Sequence, residues 1–150
     1  MTSNYQAILD YVRQSKKAGV YLLSLEADLV NLLKDDFPEM DWVGFYLAAE
    51  DKHVLYVGPY RGELPCSLIP FAKGVCGKAY REGKTQLTGD VSKLAYHIAC
   101  SSTTRSEIVL PLRDAQGKTI GVLDIDSDTP DAFTLEDQAA LEQILLAIAS

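Results

Sequence analysis

Apolar residues recur at helical spacing through the first quarter of the chain. Tyr5, Ile8, Leu9 and Val12 share one face, and Ser3 followed three residues later by Gln6 has the form of a capping box, so a helix of about three turns is expected there. Leu22, Leu25, Leu29, Leu32 and Leu33 form a second stripe. It opens after Gly19 and stops at Phe37-Pro38, because the residue before a proline is pushed out of the helical region. These leucines are expected in the core. From Trp42 the period changes to two: Trp42, Gly44 and Tyr46 fall on one face of a strand, and Val43, Phe45 and Leu47 on the other. His53 to Val57 can return antiparallel after a turn at Glu50-Asp51-Lys52, with Gly58-Pro59 expected to end the run.

The next segment, Tyr60 to Phe71, contains Gly62, Pro65 and Pro70 and reads as an irregular connection with a short strand at Leu68-Ile69. Gly74 to Glu82 reads as a short helix ended by Gly83. A short strand at Thr85 to Leu87 leads into a long, turn-rich stretch from Gly89 to Arg105, and long ordered loops in small domains are disproportionately functional. The clearest hairpin follows: Glu107 to Arg113, a turn at Asp114 to Gly117, then Lys118 to Asp126. Thr134 with Asp137 caps a final helix in which Leu141, Ile144, Leu145 and Ile148 share a face. The pattern predicts a single α+β domain over residues 1–150. Helices within 1–40 and at the C-terminal end would cover a mostly antiparallel sheet built from residues 41–150.

Composition narrows the partners. The chain has 150 residues, enough for one core, and its formal net charge of −7 repels phosphate backbones; no Lys/Arg cluster opposes that average. Nucleic acid is not an expected partner. No signal-peptide apolar region opens the chain, and nowhere do about 20 uninterrupted apolar residues occur, so a soluble, cytoplasmic protein without membrane contact is expected.

Candidate chemistry lies in the window that holds all three cysteines, Cys66, Cys76 and Cys100. An odd number closes no disulfide framework, so the thiols are free, metal-bound or catalytic. Cys76 would occupy the first turn of its helix, where unpaired N–H groups favour a thiolate; it reads equally well as a small buried hydrophobe. The spacing matches neither a Cys-x-x-Cys pair nor a zinc ribbon, although Cys66, Cys76, His97 and Cys100 could meet in space around zinc. A lone His97 recruits no partner at regular spacing and stays outside the catalytic set. Thiol redox chemistry uses more of what is present: one thiolate attacks, a second resolves, and nearby acids supply protons.

Those acids come from the last hairpin. If Arg113 pairs with Lys118, Glu107 faces Asp124 and Arg105 faces Asp126, which gathers three carboxyls at one end of one sheet face. Opposed like charges destabilise a strand pair, so the cluster either holds a cation or keeps one member protonated. The plainer alternative is that Asp124 and Asp126 solvate the strand end and pair with Arg105.

Together, Trp42-Val43-Gly44-Phe45-Tyr46, Gly74-Val75-Cys76-Gly77, His97-Ile98-Ala99-Cys100 with Arg105-Ser106-Glu107-Ile108-Val109, and Gly121 to Ser127 resemble the free methionine-(R)-sulfoxide reductases, enzymes built on a single GAF domain. The resemblance spans about Asp41 to Leu145. It implies reduction of free methionine sulfoxide of R configuration at sulfur, without a cofactor or metal and with thioredoxin as reductant. By that similarity Cys100 matches the nucleophile, Cys66 a resolving cysteine that closes a disulfide with it, and Cys76 a third cysteine with a catalytic or disulfide-forming part. Glu107 would be the acid that protonates the leaving sulfoxide oxygen. Asp124 and Asp126 would hold the substrate ammonium, and Trp42 and Tyr46 would enclose its methyl and thioether end. The first forty residues would cover the sheet or form a homodimer. The rival reading is a non-catalytic GAF-type module that binds a small ligand.

Overall fold

Helix α1 (Ser3–Lys17) is capped by Thr2, whose hydroxyl accepts the Tyr5 N–H at 3.4 Å; the cap lies one residue before the expected Ser3. The structure is a computed structural model and describes residues 1–95 and 103–150. Helix α2 (Leu22–Asp36) buries Leu25, Leu29 and Leu33 completely and Leu32 in part, but Leu22 is 41% exposed. Leu22 is the first residue of its helix, before the stripe reaches the core. The remaining elements are β1 (Trp42–Ala49), β2 (Val54–Arg61), β3 (Leu68–Pro70), α3 (Gly74–Glu82), β4 (Gln86–Thr88), β5 (Ser106–Arg113), β6 (Thr119–Ser127) and α4 (Leu135–Ala149). Short 3-10 turns stand at Glu50–Lys52 and Val91–Lys93.

The six strands form one sheet in the order β3-β2-β1-β6-β5-β4, and every neighbouring pair is antiparallel. Alternation along each strand divides the interior into two cores. Val43 and Phe45 of β1, Ile108, Leu110 and Leu112 of β5, and Leu123 and Ile125 of β6 pack beneath α1, α2 and α4. The opposite face carries Trp42, Tyr46, Val109 and Val122, covered by Val75, Cys76 and Ala79 of α3. The first core is the larger and is entirely aliphatic and aromatic apart from one methionine; each fully buried Leu or Ile there contributes about 1.5–3 kcal/mol. Helix α4 closes that layer, with the capping box of Thr134 and Asp137 formed as expected and Leu141, Ile144, Leu145 and Ile148 buried.

Two strand details depart from the sequence reading. Gly58-Pro59 does not end β2, which runs on to Arg61. Gly44 pairs with Tyr60 and Tyr46 with Val57, so Phe45 alone faces Gly58 and Pro59 in a bulge. A bulge tolerates a residue with no N–H to donate. In the last hairpin Arg113 pairs with Thr119 rather than Lys118, and an irregularity beside it pairs Leu112 with Gly121. The Asp114 carboxylate accepts the N–H groups of Gln116 at 2.9 Å and Lys118 at 3.0 Å, which draws Lys118 into the turn. Glu107 therefore faces Asp126, and Val109 faces Asp124. Arg105 does not pair with Asp126; its N–H donates to the Ser127 carbonyl at 2.8 Å. The slip is of two residues. Side chains alternate with a period of two, so Glu107, Asp124 and Asp126 remain on the face where they were expected.

Candidate active site

The α3 face of the sheet narrows to a site at the ends of β1, β5 and β6. Its wall is aromatic: the Trp42 ring lies 6.0 Å from that of Tyr46 and 5.7 Å from that of Tyr60, stacked on both. Glycine at position 44 permits this. A Cβ there would stand 2.3 Å from the Trp42 ring and 2.7 Å from the Tyr60 Cβ, so the indole folds across the bare backbone. Gly62, at φ +129°, turns the chain under the other edge of the indole, and the indole N–H donates to the Glu63 carbonyl at 2.9 Å. Trp42, Tyr46, Asp124 and Asp126 line a small cavity of about 30 Å³ together with the 63–65 turn. A second cavity of about 290 Å³ shares Trp42, Glu63 and Asp126 and is also lined by Lys34, Thr103 and Thr104.

The acid cluster assembles behind this wall. One oxygen from each of Glu107, Asp124 and Asp126 lies within 4.8 Å of the other two, a spacing that suits a cation or shared protons. Glu107 and Asp124 are each only 6% exposed. Burial, followed by the charges of Asp124 and Asp126, raises the Glu107 pKa well above the usual carboxyl range. Burial, followed by the charge of Asp126, does the same to Asp124. Both hydrogen-bond Asp126, and each of these bonds raises the pKa further. Asp126 faces the cavity, and Glu107 stands behind it as its cross-strand partner.

The cysteines separate by environment. Cys66 follows the cavity-lining Pro65, and the Tyr46 hydroxyl, kept neutral by burial, donates to the Cys66 carbonyl at 2.8 Å. Cys66 is disulfide-bonded, so in this state its sulfur is no zinc ligand. Cys76 is a free thiol in the first turn of α3 but is not the thiolate that position suggested. It is 5% exposed, and its pKa is pushed well up by burial and then by the charges of Asp124, Glu107 and Asp126. Desolvation and three nearby acids outweigh the helix end. Cys100 and His97 lie outside the described residues.

The structure thus brings Trp42, Tyr46, Cys66, Cys76, Glu107, Asp124 and Asp126 to one end of one sheet face. Sequence reasoning missed Tyr60, which backs Trp42, and Lys34, which reaches the larger cavity from α2. The extension of β2 past Pro59 was the missing information for Tyr60. For Lys34 no local signal existed. A groove of about 560 Å³ between Gly83–Thr85 and α4 contains no cysteine and none of the clustered acids.

This fold and site define a GAF domain, and the chain belongs to the GAF domain family, whose pattern matches residues 6–150. Within that family it belongs with the free methionine-R-sulfoxide reductases. It is 42% identical over 123 residues to the free methionine-R-sulfoxide reductase of Escherichia coli, covering 82% of this chain and 73% of that one. It is also 40% identical over 140 residues to protein YtsP of Bacillus subtilis, covering 93% and 85% of the two chains. In structure it is similar to the free methionine-R-sulfoxide reductase of Neisseria meningitidis in complex with its substrate, with a TM-score of 0.90 and 37% identity over 97% of this chain and 86% of that one. No described helix is long and apolar enough to cross a membrane.

Proposed function

We propose that this chain reduces free methionine (R)-S-oxide to methionine with its own thiols. The observation that carries the reading is the meeting of an aromatic wall and a buried acid cluster at one cavity, with Cys66 next in the chain to the cavity-lining Pro65 and held there by the Tyr46 hydroxyl. Cys100 is the nucleophile. Its thiolate attacks the sulfoxide sulfur as the oxygen is protonated; in the resulting adduct the hydroxyl passes to the Cys100 sulfur, the substrate S–O bond and the new bond between the two sulfurs break, and methionine leaves with Cys100 as a sulfenic acid. The oxygen leaves readily only when protonated, and Glu107, its pKa raised by burial and by the charges of Asp124 and Asp126, is the acid that supplies the proton. Asp126 receives the substrate ammonium with Asp124, while Trp42 and Tyr46 enclose the methyl and thioether end.

Cys66 then attacks the sulfenic acid, forming a disulfide and releasing water, and a thioredoxin dithiol reduces that disulfide back to two thiols. A disulfide at Cys66 with Cys76 left as a free thiol supports this division of labour. The test is stereochemical: racemic free methionine sulfoxide is incubated with the protein and dithiothreitol, and the remaining epimers are quantified. Loss of the R epimer alone is expected. Consumption of neither epimer, or of the S form alone, would overturn the proposal. Cys100→Ser abolishes turnover with the fold intact, and Cys66→Ala loses thioredoxin-coupled turnover. Treating the reduced protein with substrate in the absence of reductant consumes two thiols; a simple binding module would lose none.

A further inference from the structure

A free amino acid carries two charges at its head, and the acids of the small cavity answer only the ammonium. The charged residues lining that cavity are Glu63, Asp124 and Asp126, none of which can receive a carboxylate. The neighbouring cavity of about 290 Å³ continues from it across the shared Trp42, Glu63 and Asp126. Its lining has a different balance. Asp41, Glu63, Asp126 and Asp128 face it together with Lys34, the only basic side chain among its described lining residues. A mixture of that kind suits a zwitterion, whose ammonium takes the acids and whose carboxylate takes the lysine.

Lys34 is brought there by its helix. It stands in the last turn of α2, directly after Leu33, which is completely buried in the first core and fixes the rotation of the helix. The chain then passes through the buried Phe37 and Met40 to Asp41, whose N–H donates to the Asp126 carbonyl at 2.9 Å and ties this segment to β6. The Asp41 carboxylate in turn accepts the Asp128 N–H at 2.8 Å. Arg61, the cation on the neighbouring turn of α2, is committed elsewhere, pairing with Asp35 at 2.5 Å. Lys34 is half-buried, and among the described residues it makes no ion pair or hydrogen bond. A partly desolvated ammonium without a partner is costly, and an anion seated in the cavity supplies one.

We propose that Lys34 holds the α-carboxylate of the substrate, and so selects free methionine sulfoxide over the same side chain within a peptide, where that carboxylate is a neutral amide. This rests on the reading of the site as a methionine sulfoxide reductase. The thioether end then lies against Trp42 and Tyr46, the ammonium at Asp126 where the two cavities meet, and the carboxylate in the larger cavity.

The test uses the full chain, first shown to consume the R epimer; if the wild type does not, the proposed function fails and this inference with it. Given that activity, wild type, Lys34→Met and Lys34→Arg are compared on free methionine (R)-S-oxide and on its carboxamide, at a pH where the amine of the carboxamide is charged. The carboxamide keeps the ammonium and the sulfoxide and lacks only the negative charge. The readout is KM, or the inhibition constant where the carboxamide is not reduced. Lys34→Met is expected to raise KM for the free acid about tenfold with kcat little changed, the size of one hydrogen bond between charged groups, and to leave the carboxamide value within about twofold of wild type. That unchanged value also shows that the variant has folded. Lys34→Arg, which keeps the charge, is expected to hold KM for the free acid within about threefold of wild type. An unchanged KM for the free acid in Lys34→Met, an equal rise for both compounds, or an arginine variant as impaired as methionine would overturn the inference while leaving the reductase activity standing.

Discussion

Glu26 lies on the apolar stripe of α2, flanked by Leu25 and Leu29, and is 2% exposed. Burial alone raises its pKa from 4.5 to about 7. Below pH 4.5 the carboxyl is protonated whether the chain is folded or not, and the burial of its charge costs nothing. Between pH 4.5 and 7 the unfolded chain releases the proton while the folded chain keeps it, so stability falls as pH rises. Above pH 7 the full penalty applies, about 3 kcal/mol at roughly 1.4 kcal/mol per pKa unit. Glu26→Gln keeps the shape and removes the titration. Urea unfolding of both proteins at pH 4.5 and pH 8 measures the difference. The variant should gain about 3 kcal/mol relative to wild type on going from the lower to the higher pH, a large fraction of the ~5–15 kcal/mol that holds such a domain together. Glu107 and Asp124 titrate in both proteins and cancel in the comparison, as does any pH-independent cost of burying the amide. A pH-dependent gain below about 1 kcal/mol would refute the reasoning, because Glu26 would then be as well solvated folded as unfolded.

Glu107→Gln should lower turnover about 100-fold, the worth of one positioned acid. The wild-type rate should also fall as pH rises through the raised Glu107 pKa, an alkaline limb that the variant lacks; a limb that persists in the glutamine variant excludes Glu107 as its source. Gly44→Ala places a methyl 2.3 Å from the indole and should cost about 1–3 kcal/mol and raise KM. Trp42 is the one tryptophan, so its fluorescence reports the displacement directly, and an unshifted emission with normal KM contradicts the packing argument. Tyr46→Phe removes the hydrogen bond to the Cys66 carbonyl and should lower stability by about 1 kcal/mol. It should also slow disulfide closure, read as a longer-lived sulfenic acid in rapid trapping with dimedone; an unchanged lifetime means the phenol does not place the Cys66 loop.

Much of the fold was legible because its signals are local. The stripe Tyr5, Ile8, Leu9 and Val12, the Gly83 helix stop and the Thr134–Asp137 box each declare themselves within one or two turns of chain, and each appears as read. The shared face of Glu107, Asp124 and Asp126 was legible for a related reason: strand alternation survives a slip of two residues. Which acid faces which was not legible, because a carboxylate in the Asp114 turn and an irregularity at Leu112 set the register, and neither alters the apolar pattern. The reach of β2 past Pro59 was hidden in the same way, since it depends on a bulge paid for by pairing with β1.

From its residues alone the chain determined an α+β domain, the family resemblance, and the residue types from which a thiol and acid site could be made. Tertiary structure decided the state of each group. Cys76 sits at a helix N-terminus, which favours a thiolate, yet its thiol pKa is raised, first by burial in the second core and then by the charges of three acids from β5 and β6. Burial and the charges of their neighbours raise the pKa of Glu107 and Asp124 too, and Glu26, alone on an apolar stripe, becomes a weaker acid through burial alone. Desolvation and Coulomb repulsion depend on what packs around a group in space, and residues 26, 76, 107 and 124 acquire those surroundings only when the sheet and helices close.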